Sequence, residues 1–332
     1  MKDEADFKET MAMAASPSHL TIGFLVCLLL AHSPKSQTKA FRPPKVTPSP
    51  QTRHRTVTAT TALATSVATP HATETRTAPK VVVSKFDSYA PTFESHLVDN
   101  LKYCAPEDVA RAASDRIAND DRGGEPYASC LDAGCGTGLA GPNLRRLVSG
   151  ALVGVDLSPK MAELAAELVV DDGPSPVVEN RLRRCSETAR VAFGSDAPRR
   201  LYDGVFTADL LNLSNANFLD GFGHEVRTMP LKPYDLIVSA DVLCYFGAMD
   251  EILQVFSDRL ANGGDVIFTT ETMSSGDYSW VETSSGRYSH SPEYVVKMGS
   301  DAGLTVVSQE AFTPRMESGE KVLGTLHIFT KK

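Results

Sequence analysis

The stretch that decides the fold is "LDAGCGTGLAG" at residues 131–141, a glycine-rich loop that follows a short apolar run. It holds two glycine patterns in different registers. Gly134, Gly136 and Gly138 form G-x-G-x-G. Gly136, Gly138 and Gly141 form G-x-G-x-x-G, the dinucleotide fingerprint of hydride-transfer enzymes. Glycines here let the backbone approach a ligand, and the following helix offers unpaired N–H groups. The register decides which ligand is bound.

Strands and helices alternate around this loop. The segments "YASCLDAG" (127–134) and "GALVGVDLS" (150–158) read as buried strands, and Ser158 is placed to cap the next helix. Further strands are predicted within 201–213, 234–246 and 263–272. This alternation predicts an α/β fold with a doubly wound, mostly parallel sheet.

The C-terminal part departs from a pure dinucleotide domain. The predicted strands "TVVSQEAF" (305–312) and "KVLGTLHIFTK" (321–331) are joined by a short link, which is typical of an antiparallel hairpin. A dinucleotide domain would instead build a second parallel βαβαβ half. We therefore expect a seven-stranded, Rossmann-like sheet with a C-terminal antiparallel hairpin, which favours the G-x-G-x-G register.

Two strand-end carboxylates flank the loop. Asp156 lies 22 residues after Gly134 and 20 after Gly136, so its spacing suits a ribose in either register. Asp132 separates the two readings. An acid just before the loop suits a ligand with a cationic sulfonium and an ammonium, whereas it would repel a pyrophosphate.

The chain resembles the class I S-adenosylmethionine-dependent methyltransferases over about residues 85–331. "LDAGCGTG" is similar to their first motif, "VGVDLSPKM" to the second and "YDLIVSADVLCY" to the fourth. Within that superfamily it most resembles a small group of TPR-associated predicted methyltransferases, through "FDSYAPTFESHLVDNLKY" (86–103) and "GRYSHSPEYVVKMGSDAGL" (286–304). No TPR repeat is visible, and the link at 171–200 is longer than in that group.

The resemblance implies S-adenosylmethionine as the cofactor, with Asp209 and Leu210 bordering its adenine. No metal is expected, because none of the six cysteines shows C-x-x-C spacing with another. The predicted cofactor-binding residues are Tyr89, Asp132, Gly134, Cys135, Gly136, Gly138, Asp156, Leu157, Asp209 and Leu210.

The catalytic residues carry a weaker signal. Methyl transfer needs the nucleophile and the methyl group held in line, and it needs a base only if the nucleophile is protonated. His96 lies in the segment before the core, Asp241 at a strand exit, and Tyr288 and His290 where substrate loops gather. These four are candidates, each with an alternative packing role. Cys135 is better read as a small loop residue than as a nucleophile.

The N-terminal part has a different composition. Residues 20–31 form a twelve-residue apolar run, too short to span a bilayer, which needs about 20 apolar residues, and typical of a signal peptide. Residues 41–80 are basic and rich in Thr and Pro, so we expect a disordered, transit-like segment. Residues 1–40 are then signal-peptide-like, and 81–332 form the methyltransferase domain. Such a two-part presequence resembles those that target complex plastids of algae; mitochondrial, secretory and signal-anchored locations stay open.

The charge of the body constrains its partners. Beyond residue 80 there are 23 Lys/Arg and 36 Asp/Glu, a poor composition for binding a phosphate backbone. We expect a small-molecule or protein acceptor, no nucleic acid, and no membrane span in the mature protein. Two other functions remain open: an NAD(P)-dependent oxidoreductase that uses Gly136, Gly138 and Gly141, and a non-catalytic S-adenosylmethionine-binding assembly protein.

Overall fold

The computed structural model describes residues 74–119, 122–170, 182–213, 218–226, 233–273, 278–317 and 319–332. All of them belong to one compact unit. The signal-peptide-like segment, most of the transit-like segment and the first part of the predicted 171–200 insertion lie outside the described residues. The plastid location therefore stays a prediction.

A largely parallel sheet forms the centre. Its main path runs β10–β13–β7–β6–β1–β2–β3, β4 and β5 extend the edge beyond β3, and β9 with β8 joins at the end of β7. A separate ribbon pairs β11 with β12. The strands are β1 (Tyr127–Ala133), β2 (Val148–Asp156), β3 (Gly204–Thr207), β4 (Phe218–Asp220), β5 (Glu225–Val226), β6 (Tyr234–Ser239), β7 (Leu260–Thr272), β8 (Trp280–Glu282), β9 (Tyr288–His290), β10 (Leu304–Phe312), β11 (Met316–Glu317), β12 (Glu320–Lys321) and β13 (Gly324–Lys331).

The strand directions confirm the predicted fold class. β1 pairs in parallel with both β2 and β6, and β2 with β3 and β6 with β7 are also parallel. β13 runs antiparallel between β7 and β10, which is the predicted C-terminal hairpin. The short strands β4, β5, β8, β9, β11 and β12 were not predicted. The carboxyl ends of β1, β2, β6 and β7 meet at one edge, where ligands of such sheets bind.

Helices cover both faces of the sheet. Ser158 caps α4 by accepting from Met161 N at 3.2 Å, as predicted, and Ser291 caps α7 in the same way. Among the described helices, none is both long and apolar enough to cross a membrane. The helices are α1 (Pro79–Tyr89), α2 (Ala105–Ala118), α3 (Gly141–Arg145), α4 (Pro159–Ala166), α5 (Glu187–Phe193), α6 (Asp250–Arg259) and α7 (Pro292–Asp301).

Strand alternation divides the core in two. Leu131 and Ala133 of β1 pack in a core with α6 and α7, whereas Cys130 belongs to a second core with α2, α3 and α4. Each core contains fully buried side chains, such as Leu131 in the first and Cys130 in the second. Two apolar faces clamp β1 and hold the loop after it in one place.

The chain just before α1 is tied to the far side of the sheet. Thr77 N donates to Tyr245 O at 2.9 Å, and Gly247 N donates to Thr75 O at 2.8 Å. Arg76 bridges to Phe246 between these bonds. Residues 75–77, which the sequence analysis places in the transit-like segment, therefore contact the loop after β6.

Candidate functional site

The glycine loop between β1 and α3 distinguishes the two registers. Gly134, Gly136 and Gly138 have φ of +78°, +55° and +90°, in the left-handed region that favours glycine. Gly141 has no such conformation; a Cβ there would lie 2.7 Å from the Tyr202 hydroxyl, so this glycine serves packing. The loop geometry therefore favours the G-x-G-x-G register.

Gly136 leaves open space where a ligand can approach. The nearest atom to a Cβ at this position is a Phe93 ring carbon at 3.8 Å, whereas a Cβ at Gly134 would lie 2.3 Å from Val242 Cγ2. The Gly134 side of the loop is closed by protein and the Gly136 side is not. The loop therefore forms a cradle that is open at Gly136, where a ligand can approach the backbone.

Asp156 lies at the end of β2 beside the cradle. Its carboxylate accepts from Gly136 N and Ser158 N, each at 2.8 Å, and the residue is partly exposed. Burial raises the pKa of Asp156 to about 6, although the backbone N–H groups that it accepts from oppose the shift. A carboxylate has about four lone-pair positions, so it keeps capacity to accept from a ribose hydroxyl. Leu157 follows it and is also partly exposed.

Asp132 lies near the end of β1, just before the loop. Its side chain is buried and accepts a 2.6 Å hydrogen bond from the Tyr202 hydroxyl. Burial raises the pKa of Asp132 to about 7, and the nearby Asp156 carboxylate adds to the shift. Because Asp132 shares its strand face with Cys130, it points into the second core. Direct contact with a sulfonium is not its role in this arrangement.

Cys135 fills space behind the loop. A Cβ at Gly154 would lie 3.0 Å from its sulfur, and burial raises the pKa of the thiol well above its usual value. Its N–H donates to Val155 O at 2.9 Å. Cys135 thus shapes the loop through its backbone and is not a nucleophile.

The segment after α1 lies over the cradle. Phe93 contacts the Gly136 position, and the Tyr89 ring packs edge-on against Phe93 at 5.3 Å. The Tyr89 hydroxyl hydrogen-bonds His96 Nδ1. Asp87 accepts from Ser158 Oγ at 2.5 Å, which joins α1 to α4. The predicted residues Tyr89 and His96 therefore lie together at the rim of the cofactor site.

Arg184, which sequence reasoning missed, clamps this segment to the loop. Its Nη2 donates to Thr137 O at 3.1 Å and its Nε donates to Leu164 O at 3.0 Å. The same guanidinium forms an ion pair with Glu94. One side chain from the 171–200 insertion thus joins the glycine loop, α4 and the covering segment. Arg184 lies in the basic run "RLRRC" at residues 181–185, a pattern that does not indicate this role.

Asp209 and Leu210 stand at the next strand exit. Asp209 pairs with Arg76 at 2.9 Å and accepts from Leu211 N at 3.1 Å. Leu210 is buried in the first core, so its side chain cannot border a ligand and only its backbone is left for that contact. The Arg76 contact was not predicted, because Arg76 lies in the transit-like composition.

A buried ion-pair network occupies the carboxyl ends of β6 and β7; we call it the arginine network. It consists of Asp241, Glu271, Arg287 and Arg315. Arg315 Nη2 lies 2.7 Å from Glu271 Oε1, and Arg287 Nε lies 2.5 Å from the same oxygen. Both arginines also pair with Asp241. Neither arginine was a predicted site residue.

Asp241 is held in a strained conformation. Its φ is +58°, which is uncommon for a residue other than glycine, and its N–H donates to Thr269 Oγ1 at 2.8 Å. Ligand atoms of Asp241, Cys244 and Glu271 lie within 4.8 Å of one another. Two arginines already neutralise both carboxylates, so this arrangement does not suit a cation. The pairing also removes Asp241 as a free base.

Tyr288 and His290 are buried in β9. His290 Nε2 donates to Phe246 O at 2.8 Å, and burial lowers the pKa of His290 to about 4. The Tyr288 hydroxyl donates to Glu74 O at 3.3 Å, and its ring packs edge-on against Trp280. Both residues fix β9 against neighbouring chain, and neither is placed to abstract a proton from an acceptor.

Comparisons with known proteins agree with this geometry. A family model described as "Methyltransferase domain" matches residues 93–309, more than half of the chain. No curated protein matches. Among solved structures, the [4+2]-cyclase SpnF is 12% identical and superposes with a TM-score of 0.50, covering 77% of this chain and 97% of that one.

Two solved methyltransferases also match. Magnesium protoporphyrin IX methyltransferase from Synechocystis PCC 6803 with bound SAM is 14% identical, with a TM-score of 0.45 over 80% of this chain and 100% of that chain. The 1,6-didemethyltoxoflavin-N1-methyltransferase of Burkholderia thailandensis is 12% identical, with a TM-score of 0.48 over 77% and 91%. At such identities the likeness shows the fold alone. The TPR-associated subgroup stays a prediction.

Proposed function

We propose an in-line methyl transfer to a small-molecule or protein acceptor for this chain, which belongs to the methyltransferase domain family and depends on S-adenosylmethionine. The observation that carries the proposal is the loop itself. Three left-handed glycines, an open cradle at Gly136 and the Asp156 carboxylate meet at one strand edge.

Different residues around the cradle bind different parts of the cofactor. Asp156 takes the ribose, the backbone at Gly136 lies against the nucleoside, and Asp209 and the Leu210 backbone face the adenine. When bound, S-adenosylmethionine supplies a methyl group on a cationic sulfur that leaves as a neutral thioether. The side chains of Phe93 and Tyr89 cover the cofactor site and exclude water from it. Positioning of the two reactants then accounts for much of the rate.

The candidate bases favour an acceptor that is already deprotonated. Asp241 is neutralised by two arginines, and Tyr288 and His290 are buried and hydrogen bonded. Burial raises the pKa of Tyr89, so its hydroxyl keeps its proton, and it shares a hydrogen bond with His96 Nδ1. Asp241, Tyr288 and His290 are held by contacts within the protein, and His96 is hydrogen bonded to Tyr89 through Nδ1, so an acceptor that reaches the site as an anion suits the protein best.

The test uses the full chain and methyl-labelled S-adenosylmethionine. We expect saturable binding of S-adenosylmethionine and no binding of NADPH by calorimetry, followed by transfer of label to a component of a cell extract. Asp156→Ala should abolish cofactor binding, and His224→Ala, at an exposed site on the loop between β4 and β5, should not. Binding of NADPH without S-adenosylmethionine would refute the proposal, and binding without turnover on any extract would favour the assembly-protein function.

A further inference from the structure

Lys85 reaches from α1 toward the arginine network without joining it. Its Nζ donates to the Tyr245 hydroxyl at 3.3 Å. The ammonium also lies 5.3 Å from the centre of the Tyr245 ring and 5.7 Å from that of Phe86. An ammonium has three donors, and the described residues engage one of them.

The Tyr245 hydroxyl is poised to donate. It accepts from Lys85 Nζ and from Arg287 Nη1, the latter at 3.2 Å. Burial raises the pKa of Tyr245 well above its usual value, so the O–H keeps its proton. No acceptor for this proton is found among the described residues. Two donors, the Lys85 ammonium and the Tyr245 O–H, therefore stand side by side.

Lys85 has no ion-pair partner among the described carboxylates. Asp241 and Glu271 pair with Arg287 and Arg315, and Arg315 also pairs with Glu317 at 3.1 Å. Burial and the two arginines lower the pKa of the Lys85 ammonium, and the Asp241 charge opposes this shift without contacting Lys85. Lys85 is exposed, so an anionic ligand group can reach its ammonium, which an opposite charge would stabilise.

This pair of donors adjoins the cofactor loop. Phe86 packs edge-on against Tyr245 at 5.7 Å and against Phe93 at 6.2 Å, and Phe93 covers the Gly136 cradle. On the other side, Val242, three residues before Tyr245, closes the loop at Gly134. A ligand group held by Lys85 would thus lie in the same cleft as the cofactor.

We infer that Lys85 and the Tyr245 hydroxyl form a binding site for an anionic ligand group, a carboxylate in the simplest case. The inference rests on the proposed function and deepens it. The carboxylate can come from the acceptor, in agreement with the missing base, or from the amino-acid end of the cofactor. Both sources present the same chemistry to the two donors.

The experiment separates the sources by calorimetry on the full chain. One arm compares S-adenosylhomocysteine with 5′-methylthioadenosine, which lacks the amino-acid carboxylate. The other titrates benzoate, and benzamide as its neutral isostere, into protein saturated with S-adenosylhomocysteine. The variants are Lys85→Met, Tyr245→Phe and the control Lys80→Met, an exposed lysine on the same helix. Thermal melts check that each variant folds.

We expect Lys85→Met to weaken the binding of one carboxylate ligand, either S-adenosylhomocysteine or benzoate, about tenfold. This is a loss of about 1.4 kcal/mol of binding free energy. Tyr245→Phe should weaken the same ligand, and binding of methylthioadenosine and benzamide should not change. A selective loss for S-adenosylhomocysteine assigns the site to the cofactor, and one for benzoate assigns it to the acceptor. Unchanged affinities, or an equal loss in Lys80→Met, would overturn the inference. If the unmodified chain binds neither nucleoside, the proposed function fails instead.

Discussion

Two regions at the carboxyl edge of the sheet are built by different means. At the cofactor loop, residues 134–138 and Asp156 present backbone groups fixed by glycine conformations. At the ends of β6 and β7, the arginine network presents charged side chains fixed by one another. The residues that form the first kind of site lie close together in the sequence. The second depends on which strands become neighbours, so it emerges only in the folded chain.

The largest effect on stability should come from disrupting the arginine network. Arg287→Met leaves two buried carboxylates facing Arg315 alone, and breaking a buried pair costs about 3–5 kcal/mol of unfolding free energy. Urea unfolding measures this loss. Affinity of the folded fraction for 5′-methylthioadenosine, which lacks the amino-acid carboxylate, should stay within about threefold, because Arg287 contacts no described residue of the glycine loop.

Arg111 provides the matched control for that change. It pairs with Asp108 and Asp115 at the surface, where such pairs contribute about 0–1 kcal/mol. Equal losses in Arg111→Met and Arg287→Met would show that burial of the arginine network does not matter to stability.

The next effect tests the backbone character of the cofactor loop. Gly134 and Gly303 share a φ of +78°, but only Gly134 has a neighbour that a Cβ would strike. We expect Gly303→Ala to cost about 1–2 kcal/mol of stability and no cofactor affinity. Gly134→Ala should cost about 3 kcal/mol or more and reduce S-adenosylhomocysteine affinity at least about tenfold. Equal effects on affinity would contradict the assignment of the loop.

A pH titration sharpens the role of Asp156, whose pKa is raised to about 6. The carboxylate form accepts hydrogen bonds, so affinity for S-adenosylhomocysteine should fall about tenfold from about pH 8 to about pH 5. The stability of the free protein should move oppositely. Because the folded pKa lies above the unfolded one, this group's contribution is present below about pH 4 and is lost as pH rises through about 6. Asp156→Asn should flatten the affinity profile and remove the Asp156 part of the stability profile, leaving the part that Asp132 contributes near pH 7. An unchanged affinity profile would refute the role.

The smallest effect concerns the clamp that joins the covering segment to the loop. Arg184→Gln loses the ion pair to Glu94 and the bond to Thr137 O. We expect about a fivefold loss of S-adenosylhomocysteine affinity, about 1 kcal/mol. Arg190→Gln is the control, because Arg190 bonds Pro198 O within the insertion itself. If both variants lose affinity equally, the clamp is not responsible.

The sequence analysis succeeded where local pattern dictates structure. The buried strands on both sides of the glycine loop, the cap at Ser158 and the C-terminal hairpin all follow from residues within a few positions of each other. The short strands β4, β5, β8 and β9 escaped prediction, because two or three residues carry no periodicity and only their partners define them.

Contacts between side chains distant in the sequence were harder to predict. Arg287 and Arg315 meet Asp241 and Glu271 only because β6 and β7 are neighbours, and no spacing along the chain encodes that contact. Asp132 is a different case. Its place at the end of β1 was predicted, but its hydrogen bond to Tyr202 joins residues 70 positions apart, which no local pattern encodes.

β13 has a consequence for how the protein is made. It follows every other strand in the sequence yet lies between β7 and β10, pairing with both. During synthesis those two strands expose unpaired edges until β13 has emerged, and open edges are templates for association with other chains. Completion of the sheet therefore comes after translation of all the other strands. A nascent or C-terminally shortened chain should depend on chaperones to stay soluble.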